Sequence, residues 1–235
     1  LEDPTGDIEE DEEPDAEDIH TAQRLAGGLN WLATRTRPDI AFIVSQLASA
    51  ATKQPKRAIA LGKRTLRYLA GTRDHGIKLA PGTVSNSRSD CQHPGRGGTG
   101  TPLLEGFGDA SYEEGFGQTG VIVKFRGMLV AWKSTKQPQV PRSTAESECT
   151  AMAYAAQYLE GVQCLFIDMR VETGTPALYC DNRAAVHLSS GSSEWRTKAF
   201  VNRILGAKSL IELRQMIVIF RPTLKMEADL LTKFI

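Results

Sequence analysis

Residues 103–117 read LLEGFGDASYEEGFG: a short apolar run, then Asp109, then glycines. The run predicts a strand over 103–110, because it is short and bounded by turn formers. An aspartate closing a strand is more often a turn or capping residue than a catalytic one. Asp109 therefore gains meaning only from the company it keeps. The flanking glycines suggest a loop that lets a nucleic-acid backbone come close.

Working outward, TGVIVKF (119–125) and MLVAWKS (128–134) predict strands joined by a tight turn at Arg126-Gly127. A long helix follows from Ser143 towards Arg170. PALYCD (176–181) predicts another strand, followed by a helix opened by Asn182. Residues 196–215 pattern as helix, MIVIFRP (216–222) as strand, and MEADLLTKF (226–234) lies in a short last helix. Three strands, helix, strand, helices, strand, helix is the order of an α/β fold: a mixed sheet with helices packed on its faces.

Ahead of this region the pattern is different. Residues 1–18 hold 11 Asp/Glu and no Lys/Arg, and predict a disordered acidic tail. From Ile19 the periodicity is helical through Leu25, Leu29 and Leu32, until TRTRPD breaks it before Pro38. IAFIVSQLASAA (40–51) predicts a second helix. A third follows Pro55, with Ile59, Leu66 and Leu69 on one side, and ends at Gly71. The Gly/Ser-rich stretch 81–101 is a linker by composition.

The formal net charge of zero conceals an asymmetry. With 11 of the 28 acidic residues confined to 1–18, 17 remain against 28 basic ones. Between Arg24 and Lys78 stand 11 Lys/Arg and only Asp39 and Asp74. Lys56, Lys63, Arg64 and Arg67 on the third helix make a candidate nucleic-acid face, weighed equally against an ordinary solvated surface. The cysteines, Cys91, Cys149, Cys164 and Cys180, form no CxxC pair and predict reduced thiols, with neither a zinc site nor a disulfide scaffold. No apolar run approaches the roughly 20 residues of a membrane span, and no basic-then-apolar leader opens the chain. A soluble, intracellular protein is expected.

Further acids pattern with Asp109. Asp181 closes the 176–181 strand just before a helix start, where α/β sheets place ligands. In STAESEC, Ser143 and Glu146 have capping-box spacing, which gives Glu146 a structural task. Glu148 lies 200° further round the helix by the 100° step and shares a stripe with Met152, Ala155 and Leu159. It therefore points at the sheet, where a carboxylate is costly unless a cation meets it. Asp229 sits in the last helix between Ala228 and Leu230. Carboxylates gathered at one sheet edge suit Mg²⁺ or Mn²⁺, and two such ions about 4 Å apart serve phosphodiester hydrolysis.

The motifs LNWLATRTRPDIAFIVSQLA, RTLRYLAGTRDHGIKL, GFGDAS, VAWKSTKQPQV, RSTAESECTAM, LYCDNRAAV, WRTKAF and EADLLTKF, in this order, resemble the C-terminal part of a copia-type LTR-retrotransposon Pol polyprotein: the end of the reverse transcriptase and the RNase H domain. The resemblance implies an RNase H-like mixed five-stranded sheet over 102–235, preceded by a helical thumb or connection segment over 19–80. It implies an Asp-Glu-Asp-Asp set on Asp109, Glu148, Asp181 and Asp229, holding two Mg²⁺ or Mn²⁺ ions and hydrolysing the RNA strand of an RNA/DNA hybrid. It also implies nucleic acid and the remainder of a Pol polyprotein as partners, and a cytoplasmic, virus-like-particle or nuclear location.

The chain departs from the family at Ser111, where a second acid is usual. It has no histidine in RPTLKMEAD, which implies slower turnover, and no YxDD-like motif, so DNA synthesis is not expected. The alternatives are a degenerate element that binds nucleic acid without cutting it, and another nuclease or recombinase of the same fold class.

Overall fold

In the computed structural model the described residues are 14–79, 102–113, 116–183, 209–210, 213 and 215–234. The linker 81–101, most of the acidic tail, nearly all of the helix expected after Asn182 and most of 196–215 lie outside them.

Helix α1 spans Ala16–Arg35 and starts earlier than the apolar periodicity suggests. The reason lies in the acidic run itself. Asp15 is the N-cap, its carboxylate accepting from the Glu17 N–H at 3.2 Å, and Glu17 and Asp18 lie in the first turn, where the helix dipole favours acids. The chain breaks at Arg37-Pro38, and a 3₁₀ turn, Pro38–Ile40, leads into α2, Ala41–Ala50. Helix α3 runs Pro55–Gly71. Arg37 locks the break to the end of α3. It donates from Nε and Nη2 to Asp39 and from Nη1 to the Thr72 carbonyl, while the Tyr68 hydroxyl donates to Asp39.

The Ile59–Leu66–Leu69 side of α3 is only partly buried: Ile59 and Leu69 pack half-buried against the core of the helical segment. Ala58, Leu61, Gly62 and Thr65 are buried, and Leu66 is exposed. Small residues win here because α3 packs closely on its neighbours: a Cβ on Gly62 would come within 3.0–3.2 Å of Leu25 and Leu47.

The sheet holds β1 (Leu104–Glu113), β2 (Phe116–Phe125), β3 (Met128–Lys136), β4 (Ala177–Cys180) and β5 (Ile217–Phe220), in the order β3-β2-β1-β4-β5. Strand β2 pairs antiparallel with β1 and β3, whereas β4 is parallel to β1 and β5. The β2–β3 hairpin turns at Arg126 and Gly127, both at positive φ. This is the mixed, helix-flanked five-stranded sheet that the resemblance implies.

Each face is covered differently. Helix α4, Thr144–Asp168, lies on one, where Met152, Ala155 and Leu159 pack with Leu104, Val121, Val123 and Leu178. The glycines before Asp109 serve this contact. They lie inside β1, and a Cβ on Gly108 would stand 2.8 Å from that of Ala155. They admit α4 to the strand and are not a loop awaiting a nucleic-acid backbone. The other face carries Phe107, Ile122, Tyr179 and Trp132, and is covered by the C-terminal segment and α2.

Candidate carboxylate site

Alternation along β1 puts Phe107 and Asp109 on the face opposite α4. The last recorded β1–β4 pair is Phe107↔Tyr179, and two residues beyond it come Asp109 and Asp181. A parallel register thus sets Asp109 beside Asp181, which follows the last residue of β4; Asp109 does not close its strand as expected but stands in mid-β1, which continues to Glu113. Glu148 reaches this pair from the first turns of α4. It is 6% exposed and takes a hydrogen bond from the Ala110 backbone.

The α4 start is built as its sequence suggests, with one change. The Ser143 hydroxyl accepts from the Glu146 N–H at 3.2 Å. The Glu146 carboxylate reaches back to the Arg142 N–H at 2.7 Å, one residue before the N-cap. Gln137 then ties this turn to the sheet, donating to the Ser147 carbonyl and to the Thr119 hydroxyl, each at 3.0 Å.

Asp229 arrives on a 3₁₀ turn, Glu227–Leu231, where an α-helix was expected. The tighter turn swings Thr232 under Asp109, and its hydroxyl donates to Asp109 Oδ2 at 2.6 Å. Close approach is possible because Gly120, paired with Asp109 across β1–β2, has no side chain. A Cβ there would meet the Ala228 carbonyl at 2.7 Å and Leu231 and Thr232 at 2.9 Å. Lys233 pairs with Asp229, and Thr223 donates to Asp181 at 2.8 Å.

Electrostatics link all four acids. Burial pushes the Asp109 carboxyl up to about 6; the Thr232 hydrogen bond opposes the shift, while the charges of Asp181 and Asp229 add to it. Burial, and then the charges of Asp109 and Asp181, push Glu148 up to about 9. Lys233 is held above the usual lysine range, first by its bond to Asp229 and also by the charges of Asp109 and Asp181. Asp109 thus lies within electrostatic reach of Asp181 and Asp229, and Glu148 within reach of Asp109 and Asp181.

A divalent cation fits this donor set. Glu148 Oε2 is buried and accepts no hydrogen bond among the described residues, which leaves a lone pair aimed at the cluster. Glu148, Cys180 and Asp181 present ligand atoms within 4.8 Å of one another. Burial pushes the Cys180 thiol upward, so it stays protonated and is a poor ligand. What remains is oxygen, the preference of Mg²⁺ and Mn²⁺.

The four basic residues singled out in the sequence, Lys56, Lys63, Arg64 and Arg67, are exposed along α3. Lys56, Lys63 and Arg67 line a shallow cleft with Asp18 of α1, and Arg64 points about 100° away from Lys63. Thr232, Lys233, Thr223 and Gly120 were not read from the sequence as parts of the site. Thr232 and Lys233 had a signal, since both lie in the EADLLTKF motif. Gly120 had none before its pairing with Asp109 was known.

No protein-family model matches the chain. It is 30% identical over 169 residues to the retrovirus-related Pol polyprotein from transposon RE1 of Arabidopsis thaliana, a match covering 70% of this chain and 10% of that polyprotein. It is 26% identical over 214 residues to the corresponding polyprotein from transposon TNT 1-94 of Nicotiana tabacum, covering 89% of this chain and 15% of the other. Among solved structures, the N-terminal RNase H domain of a Mycobacterium tuberculosis protein aligns with a TM-score of 0.44 at 14% identity, over 56% of this chain and 91% of that one. The described helices include none long and apolar enough to cross a membrane. The chain is homologous to a segment, about a tenth of the length, of retrovirus-related Pol polyproteins from copia-type transposons.

Proposed function

We propose that this chain is an RNase H-like nuclease that hydrolyses the RNA strand of RNA/DNA hybrids with two divalent ions, Mg²⁺ or Mn²⁺, held by Asp109, Glu148, Asp181 and Asp229. The observation that carries this is that Asp109 and Glu148, both buried and pushed upward, lie near Asp181, with Asp229 beside Asp109 and with Glu148 Oε2 accepting no hydrogen bond among the described residues. Such a cluster is costly by itself and is relieved by a cation. When bound, the ions would supply Lewis acidity and an activated water for phosphodiester hydrolysis.

The protein's own groups prepare that chemistry. Thr232 fixes the Asp109 carboxylate through its hydroxyl, Thr223 does the same for Asp181, and Lys233 offsets the charge of Asp229. Burial and the charges of Asp109 and Asp181 favour the protonated form of the Glu148 carboxyl, so a bound cation would stabilise its carboxylate. Exposed Lys56, Lys63, Arg64 and Arg67 on α3 grip the nucleic-acid backbone, which makes binding sensitive to salt. The working context is intracellular, with the remainder of a Pol polyprotein as partner.

The test is cleavage of an RNA/DNA hybrid, duplex DNA and duplex RNA in Mg²⁺ and in Mn²⁺. Hybrid-selective cleavage that is lost in Asp109→Asn and Glu148→Gln is expected. Unchanged cutting in those variants would overturn the assignment. Salt-sensitive hybrid binding without cleavage under either ion would favour the degenerate, binding-only element instead.

A further inference from the structure

We infer that α2 is a structural part of the carboxylate site, with Phe42 and Gln118 as positioning residues that hold the turn bearing Asp229 and Thr232 against Asp109. The turn cannot hold itself. It is a five-residue 3₁₀ segment whose flanking hydrogen bonds, Asp229 N–H to the Met226 carbonyl and Thr232 N–H to the Asp229 carbonyl, are long at 3.3 and 3.2 Å. Its placement must come from outside.

Besides its packing on β1 and β2, where Ala228 and Leu231 are buried with Phe107 and Ile122, two contacts tie it to α2 and β3. Phe234, two residues past Thr232, packs its ring edge-on to Phe42 of α2, with centroids 4.9 Å apart and planes at 79°. Phe42 is itself 5% exposed, so it forms a fixed floor. The second contact is a relay of hydrogen bonds. Gln118 is fully buried on the face of β2 away from α4, a position where alternation would favour an apolar residue. Its Nε2 donates to the Ser45 hydroxyl of α2 at 3.0 Å and to the Ser134 hydroxyl of β3 at 2.8 Å. Ser134 in turn donates to the Leu231 carbonyl, in the turn, at 2.6 Å. Both Gln118 amide hydrogens and the Ser134 hydroxyl thus meet acceptors, as a buried polar chain requires.

Trp132 adds a clamp from β3 to α1, its indole N–H donating to the Ala33 carbonyl at 2.6 Å. The helical segment is thereby seated on the sheet face that carries the turn. Its role extends beyond any contact with nucleic acid: it completes the rear wall of the site. The consequence for ion binding rests on the nuclease proposal; the mechanical coupling does not.

The experiment uses the whole chain with Phe234→Ala and Gln118→Met, neither of which alters a carboxylate, and with Phe42→Leu as the conservative variant. Hydrogen exchange without metal is read first. Amides of 226–234 should exchange about tenfold faster or more in Phe234→Ala and Gln118→Met, with α4 unchanged and Phe42→Leu near wild type. Mn²⁺ affinity by calorimetry should weaken about tenfold in the same two variants, at unaltered KM for the hybrid. Wild-type exchange in the turn of both variants would overturn the inference, as would faster exchange with undiminished Mn²⁺ affinity. A wild-type chain that binds no Mn²⁺ and cuts no hybrid would refute the nuclease proposal instead, and the exchange result would still decide the coupling.

Discussion

Replacing Gly120 with alanine puts a methyl group where β2 touches the C-terminal turn. The added carbon would lie 2.7 Å from the Ala228 carbonyl oxygen and 2.9 Å from both the Leu231 Cβ and the Thr232 Cγ2. The first is backbone and the others are anchored close to it, so no flexible side chain can yield. Turn and strand must part by about 0.5 Å, and overpacking of this kind costs about 1–3 kcal/mol. The same displacement lengthens the 2.6 Å bond from Thr232 to Asp109 and moves Asp229 outward. Misplacement on the 1 Å scale can cost about 100-fold in rate, so about 10- to 100-fold less hybrid cleavage is expected. Urea unfolding at constant slope measures the first effect, and single-turnover cleavage in Mg²⁺ the second. A loss below about 0.5 kcal/mol with full cleavage would show that the turn does not rest on β2, and the account of how Asp229 is placed would fail.

Other perturbations follow from the same geometry. With Asp109 raised from 3.8 to about 6 and Glu148 from 4.5 to about 9, the metal-free folded chain binds protons more tightly than the unfolded chain. Its stability should therefore fall as pH rises from about 4, through about 6 for Asp109 and on towards about 9 for Glu148, with Asp109 accounting for about 3 kcal/mol. Urea unfolding at pH 5, 7 and 9 in chelator reads the slope, and saturating Mg²⁺ should flatten it; stability rising over that window would contradict the burial of these acids. Arg37→Met should destabilise by about 2–4 kcal/mol, because it strips Asp39 of its charge partner and leaves the Thr72 carbonyl without its donor. Thermal or urea unfolding checks this, and a neutral result would mean the lock between α1 and α3 is ornamental. Gly28→Ala lies in open space on the exposed side of α1 and should stabilise by about 0.5–1 kcal/mol, visible as a raised urea midpoint.

Much of the fold could be read from the chain because its signals were local. Alternation and turn residues placed β1 to β3, and the Ser143 cap and the Met152–Ala155–Leu159 stripe placed α4 and turned Glu148 towards the sheet. The errors fell where local pattern and packing compete. On α3 Leu66 is exposed while Leu61 and Gly62 take the most buried positions, and the glycines of β1 accept a helix rather than a ligand. In the last segment, MEADLLTKF has helical composition, yet it forms a 3₁₀ turn because β2, β3 and α2 hold it from three sides.

What the sequence determined by itself is the order of the five strands and of the described helices, the inward turn of Glu148 and the basic residues of α3, since each depends on neighbours a few residues away. The tertiary structure alone decided that Asp109 in mid-β1 stands beside Asp181 past the end of β4, that Gly120 makes room for Thr232, and that α2 backs the turn carrying Asp229. Those facts depend on strand register and on contacts between residues 70 to 190 positions apart, and side-chain periodicity carries no information about either.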